Sequence, residues 1–357
     1  MSTIPFSLPA NITSLVPYRS ARSILKGPEW IFLDAGECPD VPLYELEPKP
    51  QINRYPDPTS DDLRDAIGGF YGLKRENVFM SCGIDELIDL CIKTFVRPGR
   101  TVLSCDPTFP VYKMLAHVNG KEYVSVPLTS DFQLNIDAVE ASYDAADLLF
   151  LCTPNNPTGT IIDQELVLRV LSRFPGLVVV DEAYGEFLEV NGMPTAVERL
   201  KKGAKNLLVC RTFSKAFRGA GIRLGYGIAS PDIIDILLKT KLPYNINALT
   251  QSVGMQLWNA RSAMEKNVAF LQSERARVAK RCEEFGCTVS DSVTHFFLLQ
   301  LPDGKSAEQI YARLRDEYRV VVRPFGTING RQSLRVSIGS PQQNDVFLSA
   351  LSTLLSL

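Results

Sequence analysis

Residues 206–230 read NLLVCRTFSKAFRGAGIRLGYGIAS: a short apolar run, a polar turn holding one lysine, and a second apolar run. The lysine, Lys215, is fenced by Thr212 and Ser214, with Arg218 and Arg223 just beyond. Upstream the same grammar repeats in NVFMS before SCGIDE, TVLSC before DPTFP, ADLLFLC before TPNNPTG, and GLVVV before DEAYGEF. Each run is continuously apolar rather than alternating, the pattern of strands covered by helices on both faces. Helical stretches such as GIDELIDLCIKTF and DQELVLRVLSRF lie between them, so residues 60–240 predict a layered α/β unit with a mostly parallel sheet. After about residue 245 the texture changes. A helical region over 246–284 leads into HFFLLQL, a further helix, RVVVRPF, SLRVSIG and a last helix, which predicts a smaller α+β unit.

The bulk numbers narrow the function classes. Of 357 residues, 38 are Lys or Arg and 40 are Asp or Glu, so no strongly basic face is implied and nucleic acid is not an expected partner. The apolar runs are strand-length, far short of a membrane span, and the first residues lack a basic stretch leading into a signal-type core. A cytoplasmic protein is the expectation. Eight cysteines form no C-x-x-C pair and only two histidines are present, so no metal site is expected, and buried reduced thiols are the reading adopted.

In open α/β sheets ligands bind outside the carboxyl ends of the strands, and the polar turns above fall there. A desolvated lysine at such an end is nucleophilic toward a carbonyl, although a lone Ser-Lys pair is more often a surface feature. Asp181 follows four apolar residues, so its carboxylate calls for a cationic partner; capping the next turn is the alternative. Gly83, Ile84 and Asp85 open a helix whose free N–H groups suit a phosphate, with Thr212, Ser214 and Arg223 able to complete the cup. Asn156 offers an amide donor or simply makes a turn, and Phe109 offers a stacking ring or a core contact. Together these parts suit pyridoxal 5′-phosphate, a cofactor that acts as electron sink while the protein orients it.

The motifs LVPYRSAR, NRYPDP, SCGIDE, TPNNPTG, DEAYGEF, RTFSKAF, AGIRLGY, PYNINALTQ and SLRVSIGS run almost end to end. In that combination the chain resembles the fold-type I pyridoxal-phosphate aminotransferases, and among them the histidinol-phosphate aminotransferase family. The resemblance implies an α/β architecture: a large domain with a mostly parallel, seven-stranded type of sheet flanked by helices, plus a smaller α+β domain. It places an N-terminal segment at 1–40, packing with the small domain and the cleft, the cofactor-binding domain at 41–250, and the small domain at 251–357. It implies that Lys215 is the Schiff-base lysine, and that Asp181 pairs with the pyridine nitrogen. Asn156 and Tyr184 meet the phenolic oxygen, and Phe109 stacks on the ring. The N–H groups of the Gly83-Ile84-Asp85 turn, with Thr212, Ser214 and Arg223, hold the cofactor phosphate. Tyr55 would reach the phosphate of a neighbouring subunit, which implies a homodimer with shared active sites. For substrates it implies L-histidinol phosphate and L-glutamate or 2-oxoglutarate, with Arg335, Arg323, Tyr18 and Asn156 as contacts. Without the resemblance, Arg323 and Arg335 read as solvated strand charges.

Three positions depart from the family pattern. Gly36-Glu37-Cys38-Pro39 stands where N-E-x-P is usual, His295 replaces an asparagine before the FFLL strand, and Ile84 replaces a smaller residue. His295 either lines the pocket or is a satisfied strand-end histidine. An aromatic or broad-specificity aminotransferase and a threonine-phosphate decarboxylase are the alternative activities; a non-enzymatic regulator lacks room for a DNA-binding domain.

Overall fold

The computed structural model describes residues 10–13, 25, 28–39, 50 and 52–356. β1 (Ile31–Phe32) comes first, followed by the strands of a seven-stranded sheet. These are β2 (Val78–Ser81), β3 (Thr101–Asp106), β4 (Glu122–Pro127), β5 (Ala146–Cys152), β6 (Leu177–Asp181), β7 (Leu207–Thr212) and β8 (Gly225–Ala229). Their spatial order is β2-β8-β7-β6-β5-β3-β4. Every neighbour from β7 through β4 is parallel, whereas β8 is antiparallel to both β7 and β2. All residues of β2, β5, β6, β7 and β8 are buried, as their largely apolar sequences require when helices cover both faces. The helix Gly83–Phe95 carries Asp85 and Glu86 in its first turn and Lys93 in its last, the order that complements the helix dipole.

A second sheet holds β9 (Thr288–Val289), β10 (Phe296–Gln300), β12 (Arg323–Ile328) and β13 (Arg331–Ser337), antiparallel in the order β12-β13-β10-β9. The short β11 (Val320–Val321) pairs in parallel with β1. That pairing anchors residues 31–32 beside the second sheet and sends residues 33–39 across toward the carboxyl ends of the large sheet. The final helix, Pro341–Leu355, begins with a capping box between Ser340 and Gln343 and a proline in its first turn.

The helical stretch at 246–284 is two helices, Ala248–Asn259 and Arg261–Glu284, rather than one. Ala260, at φ −89° and ψ 28°, ends the first and starts the second. The bend aims Trp258 at Phe217 (ring centroids 5.8 Å apart) while Arg261 lies 3.8 Å over the Phe70 ring. Packing sets the break; no glycine or proline announces it. The cysteines also divide: all eight are free thiols and six are buried, but Cys38 is half-buried and Cys82 is exposed.

Candidate active site

A cavity of about 380 Å³ opens at the carboxyl ends of β5, β6 and β7, and its walls include Asp181, Tyr184, Lys215 and Arg335. Lys215 stands in the turn after β7, where Ser214 N–H donates to Thr212 Oγ1 and Gly219 N–H donates to the Phe213 carbonyl. Its amine donates to the Ala35 carbonyl at 2.9 Å and the Gly36 carbonyl at 3.2 Å. Burial first, and then the Arg335 charge, lower the amine from its ordinary 10.5 to about 8. A substantial neutral fraction near neutral pH follows, which a nucleophile or a general base requires.

Asp181 ends β6 at 2% exposure. Its carboxylate accepts from the Tyr112 hydroxyl at 2.5 Å and from the Ala183 N–H at 3.0 Å, and it forms no salt bridge with a described residue. Burial raises it from 3.8 to about 6, against the two hydrogen bonds, which favour the charged form. Phe109 and Tyr184 line the same cavity, and burial raises the Tyr184 hydroxyl above its ordinary range. Asn156, 7% exposed, accepts from Arg335 Nη1 at 2.6 Å, while the neighbouring Asn155 braces the turn by bonding Pro107 and Thr158.

At the far end, Ile84, Asp85, Thr212, Ser214 and Arg223 converge. Cys82, the residue before the helix Gly83–Phe95, makes no side-chain cap to the first-turn N–H groups, and Ile84 and Asp85 of that turn line the cavity. Gly83 has φ +72°, and a Cβ there would come within 2.7 Å of Arg223 Nη2, so the guanidinium packs onto the bare glycine. Arg223 touches Asp85 at 3.4 Å and Ser214 Oγ at 3.5 Å, both long, with half its side chain exposed.

On the other side, the register of β12 and β13 sets Arg323 directly opposite Arg335. Like charges facing across a ladder are unfavourable and suit an anion between them. Arg335, 7% exposed, also donates to the Asp34 carbonyl and lies 5.4 Å from the Phe296 ring and 5.9 Å from Phe325. Tyr55 is not in this cavity: it is 81% exposed and stacks on Tyr244 with centroids 4.5 Å apart. Tyr18 lies outside the described residues.

Residues 31–351 match the family "Aminotransferase class I and II". A histidinol-phosphate aminotransferase of Parabacteroides distasonis is 37% identical over 348 residues, covering 96% of both chains. The chain belongs to the histidinol-phosphate aminotransferases, within aminotransferase class I and II. Its fold is that of the Sinorhizobium meliloti histidinol-phosphate aminotransferase solved with pyridoxal-5′-phosphate, at TM-score 0.85, 22% identity and 99% coverage of each chain. An L-threonine-O-3-phosphate decarboxylase from Porphyromonas gingivalis is also similar, at TM-score 0.74 and 25% identity over 86% of this chain and 92% of that one.

For this aminotransferase, sequence reading missed residues that hold the site from behind. Tyr112 bonds Asp181 and stands edge-on to Phe109 at 5.6 Å, so one side chain touches both the carboxylate and the candidate stacking ring. Its signal was a tyrosine three residues after Phe109 at a buried helix start, where a hydroxyl must find a partner. Cys38 donates to the Lys215 carbonyl, and Ser337 Oγ accepts from Gly36 N–H. Arg211, wholly buried, meets Glu182, Glu186 and Glu189 at 2.8, 3.4 and 3.1 Å, tying the turn after β6 to the strand that delivers Lys215.

Proposed function

We infer that the chain transfers the amino group between L-histidinol phosphate and 2-oxoglutarate, giving imidazole acetol phosphate and L-glutamate, with pyridoxal 5′-phosphate as cofactor. The observation that carries the assignment of this cavity is one juxtaposition. A lysine amine lowered to about 8, a buried carboxylate with no salt-bridge partner among the described residues, and an arginine beside them share about 380 Å³. That donor set fits a flat, phosphorylated pyridine. Asp181 supplies the anion for a ring cation, Phe109 a face, Asn156 and Tyr184 donors for the phenolic oxygen, and the Gly83-Ile84-Asp85 turn with Thr212, Ser214 and Arg223 a phosphate cup. When bound, the cofactor withdraws electrons from the substrate carbon that loses its proton. Lys215 takes that proton and returns it. Arg335 holds the carboxylate of glutamate in one half-reaction and the phosphate of histidinol phosphate in the other, since a guanidinium fork matches both anions. Arg323, directly across the ladder, adds to the substrate-phosphate contacts.

Two identical chains share the sites in this reading. Support comes from exposed apolar side chains: Ile52 and Tyr55 are 81% exposed, Leu242 72%, and Leu249, which lines a surface pocket with Arg223, 49%. Tyr55 would leave its stack on Tyr244 and enter the neighbouring subunit's cup. Eight unpaired thiols fit a reducing compartment such as the cytoplasm.

The test is a half-reaction titration of the cofactor-loaded protein, following the cofactor absorbance. Conversion to the amino form at low L-histidinol phosphate, with weak response to L-phenylalanine, L-tyrosine and L-threonine phosphate, is expected. Preference for an aromatic amino acid, or carbon dioxide release from threonine phosphate, would replace the substrate assignment.

A further inference from the structure

His295 is fully buried and does not belong to the cavity wall. Its ring stacks on Phe187 (5.1 Å, 14°), with Tyr184 and Phe296 nearby at 5.8 and 5.9 Å. Nε2 lies 2.8 Å from the Gly36 carbonyl oxygen. A carbonyl only accepts, so Nε2 carries the hydrogen. Burial, then the charge on Lys215, pushes the ring's protonation down to about 3, so it is neutral and Nδ1 is the bare nitrogen; that atom has no hydrogen-bond partner among the described residues.

The Gly36 carbonyl has a second visitor, the Lys215 amine at 3.2 Å. The Gly36 N–H in turn donates to Ser337 Oγ at 2.9 Å, so residue 36 is held on both sides. Gly36 itself has φ +61°, and a Cβ on it would sit 3.2 Å from Lys215 Nζ and 3.5 Å from His295 Nε2. The departures at 36 and 295 are therefore one feature. Glycine opens the space and the left-handed backbone that bring its carbonyl to the amine, and the histidine fixes that carbonyl from behind. Neutrality matters, because an imidazolium would add a cation beside Lys215 and Arg335.

We propose that His295 is a positioning residue for Lys215: its Nε2–H grips the Gly36 carbonyl and so fixes the strap at residues 35–36 on which the lysine amine rests. The strap gives the amine one place from which it moves to the substrate carbon and to which it returns. Its catalytic consequence rests on the reading of Lys215 as the proton carrier; the positioning itself does not. Displacement of about 1 Å at such a group is enough for a large rate loss.

Three variants test it. His295→Phe keeps the ring stack and removes the N–H, His295→Gln puts an N–H back within reach, and Gly36→Ala leaves the histidine intact while crowding the amine. In cofactor-free protein, amide exchange of the peptide covering 33–39 is expected to rise about tenfold in His295→Phe, the effect of losing one hydrogen bond. It returns toward wild type in His295→Gln, with β10 unchanged in both. Competitive acetylation of Lys215, read by peptide mass spectrometry across pH 6–11, is expected to change in His295→Phe and Gly36→Ala and to be restored in His295→Gln. In loaded enzyme, kcat falls about tenfold or more in His295→Phe and Gly36→Ala with KM changed far less. Wild-type exchange at 33–39 in His295→Phe, or equal loosening of β10, overturns the proposal, because the ring would then be core packing alone. A Lys215→Ala enzyme that turns over normally would instead remove the proton-carrier reading while leaving the exchange result standing.

Discussion

Asp181→Asn is expected to make the cofactor-free protein more stable and the enzyme nearly inactive. Burial raises the carboxyl from 3.8 to about 6; the charge on Lys215 opposes this only weakly, and no described residue forms a salt bridge with Asp181. That difference, about 2.2 at 1.36 kcal/mol each, is about 3 kcal/mol by which the ionised carboxylate destabilises the fold. The sign follows from a raised acid: the folded protein keeps its proton while the unfolded chain has lost it. Stability is therefore highest below about pH 4 and falls as pH rises through about 6. An asparagine has nothing to ionise, and its oxygen still accepts from Ala183 N–H while the Tyr112 hydroxyl rotates to accept from the new amide. Urea midpoints of the cofactor-free proteins should coincide near pH 4 and separate by about 3 kcal/mol in favour of the variant at pH 8. Loading should reverse the order, because only the aspartate answers a ring cation, and kcat should fall by about 10²–10³ or more, the scale for losing one preorganised charge. A variant equal to or weaker than wild type at pH 8, or a difference that ignores pH, refutes the reasoning.

Gly83→Ala forces a side chain into a backbone at φ +72° and pushes Arg223 off its seat. Equilibrium dialysis should show cofactor affinity falling about 10- to 100-fold, the equivalent of one charge-assisted hydrogen bond, while thermal unfolding of the cofactor-free form moves only slightly. Arg211→Met leaves Glu182 and Glu186 buried without their cation, and should cost about 3–5 kcal/mol in urea unfolding. The loss should be larger at pH 8 than at pH 6, since burial already raises Glu186 to about 7 and protonation relieves it. On the proposed shared-site reading, Leu242→Asp with Tyr244→Ala, both exposed, should shift sedimentation from the dimer that reading expects to monomer.

The large sheet was legible because five of its strands are wholly buried, so sequence and environment carry the same signal. Its antiparallel end was not. β8 runs antiparallel to β7, and the only sequence hint was the connection itself: residues 213–224 hold one three-residue helical turn, too little for the helical crossover a parallel pair usually uses. Lys215 and Asp181 were legible because a strand end is a local pattern. Arg335 was not, except through resemblance, since a strand arginine is ordinarily solvated and only the register opposite Arg323 and the crossing of residue 34 enclose it. Tyr112 and His295 were less legible still. Their partners lie 69 and 259 residues away, and nothing local records a contact closed by the whole fold.

Asp181 and Glu182 are neighbours in the chain, both at 2% exposure or less, and the fold treats them in opposite ways. Glu182 meets a buried guanidinium at 2.8 Å and accepts from the Ala196 N–H at 2.6 Å. Asp181, one residue earlier and on the other face of the strand, accepts hydrogen bonds from a phenol and an amide and forms no salt bridge with a described residue. Burying a charge is tolerable when the chain supplies the counter-charge, and Arg211 serves its glutamates that way. Leaving Asp181 with neutral hydrogen-bond donors and only a weak pull from Lys215 costs stability that the neighbouring residue shows this fold can avoid. The contrast separates a structural ion cluster from a functional one without appeal to the cavity. That contrast supports the proposed pairing of Asp181 with a positively charged ligand ring.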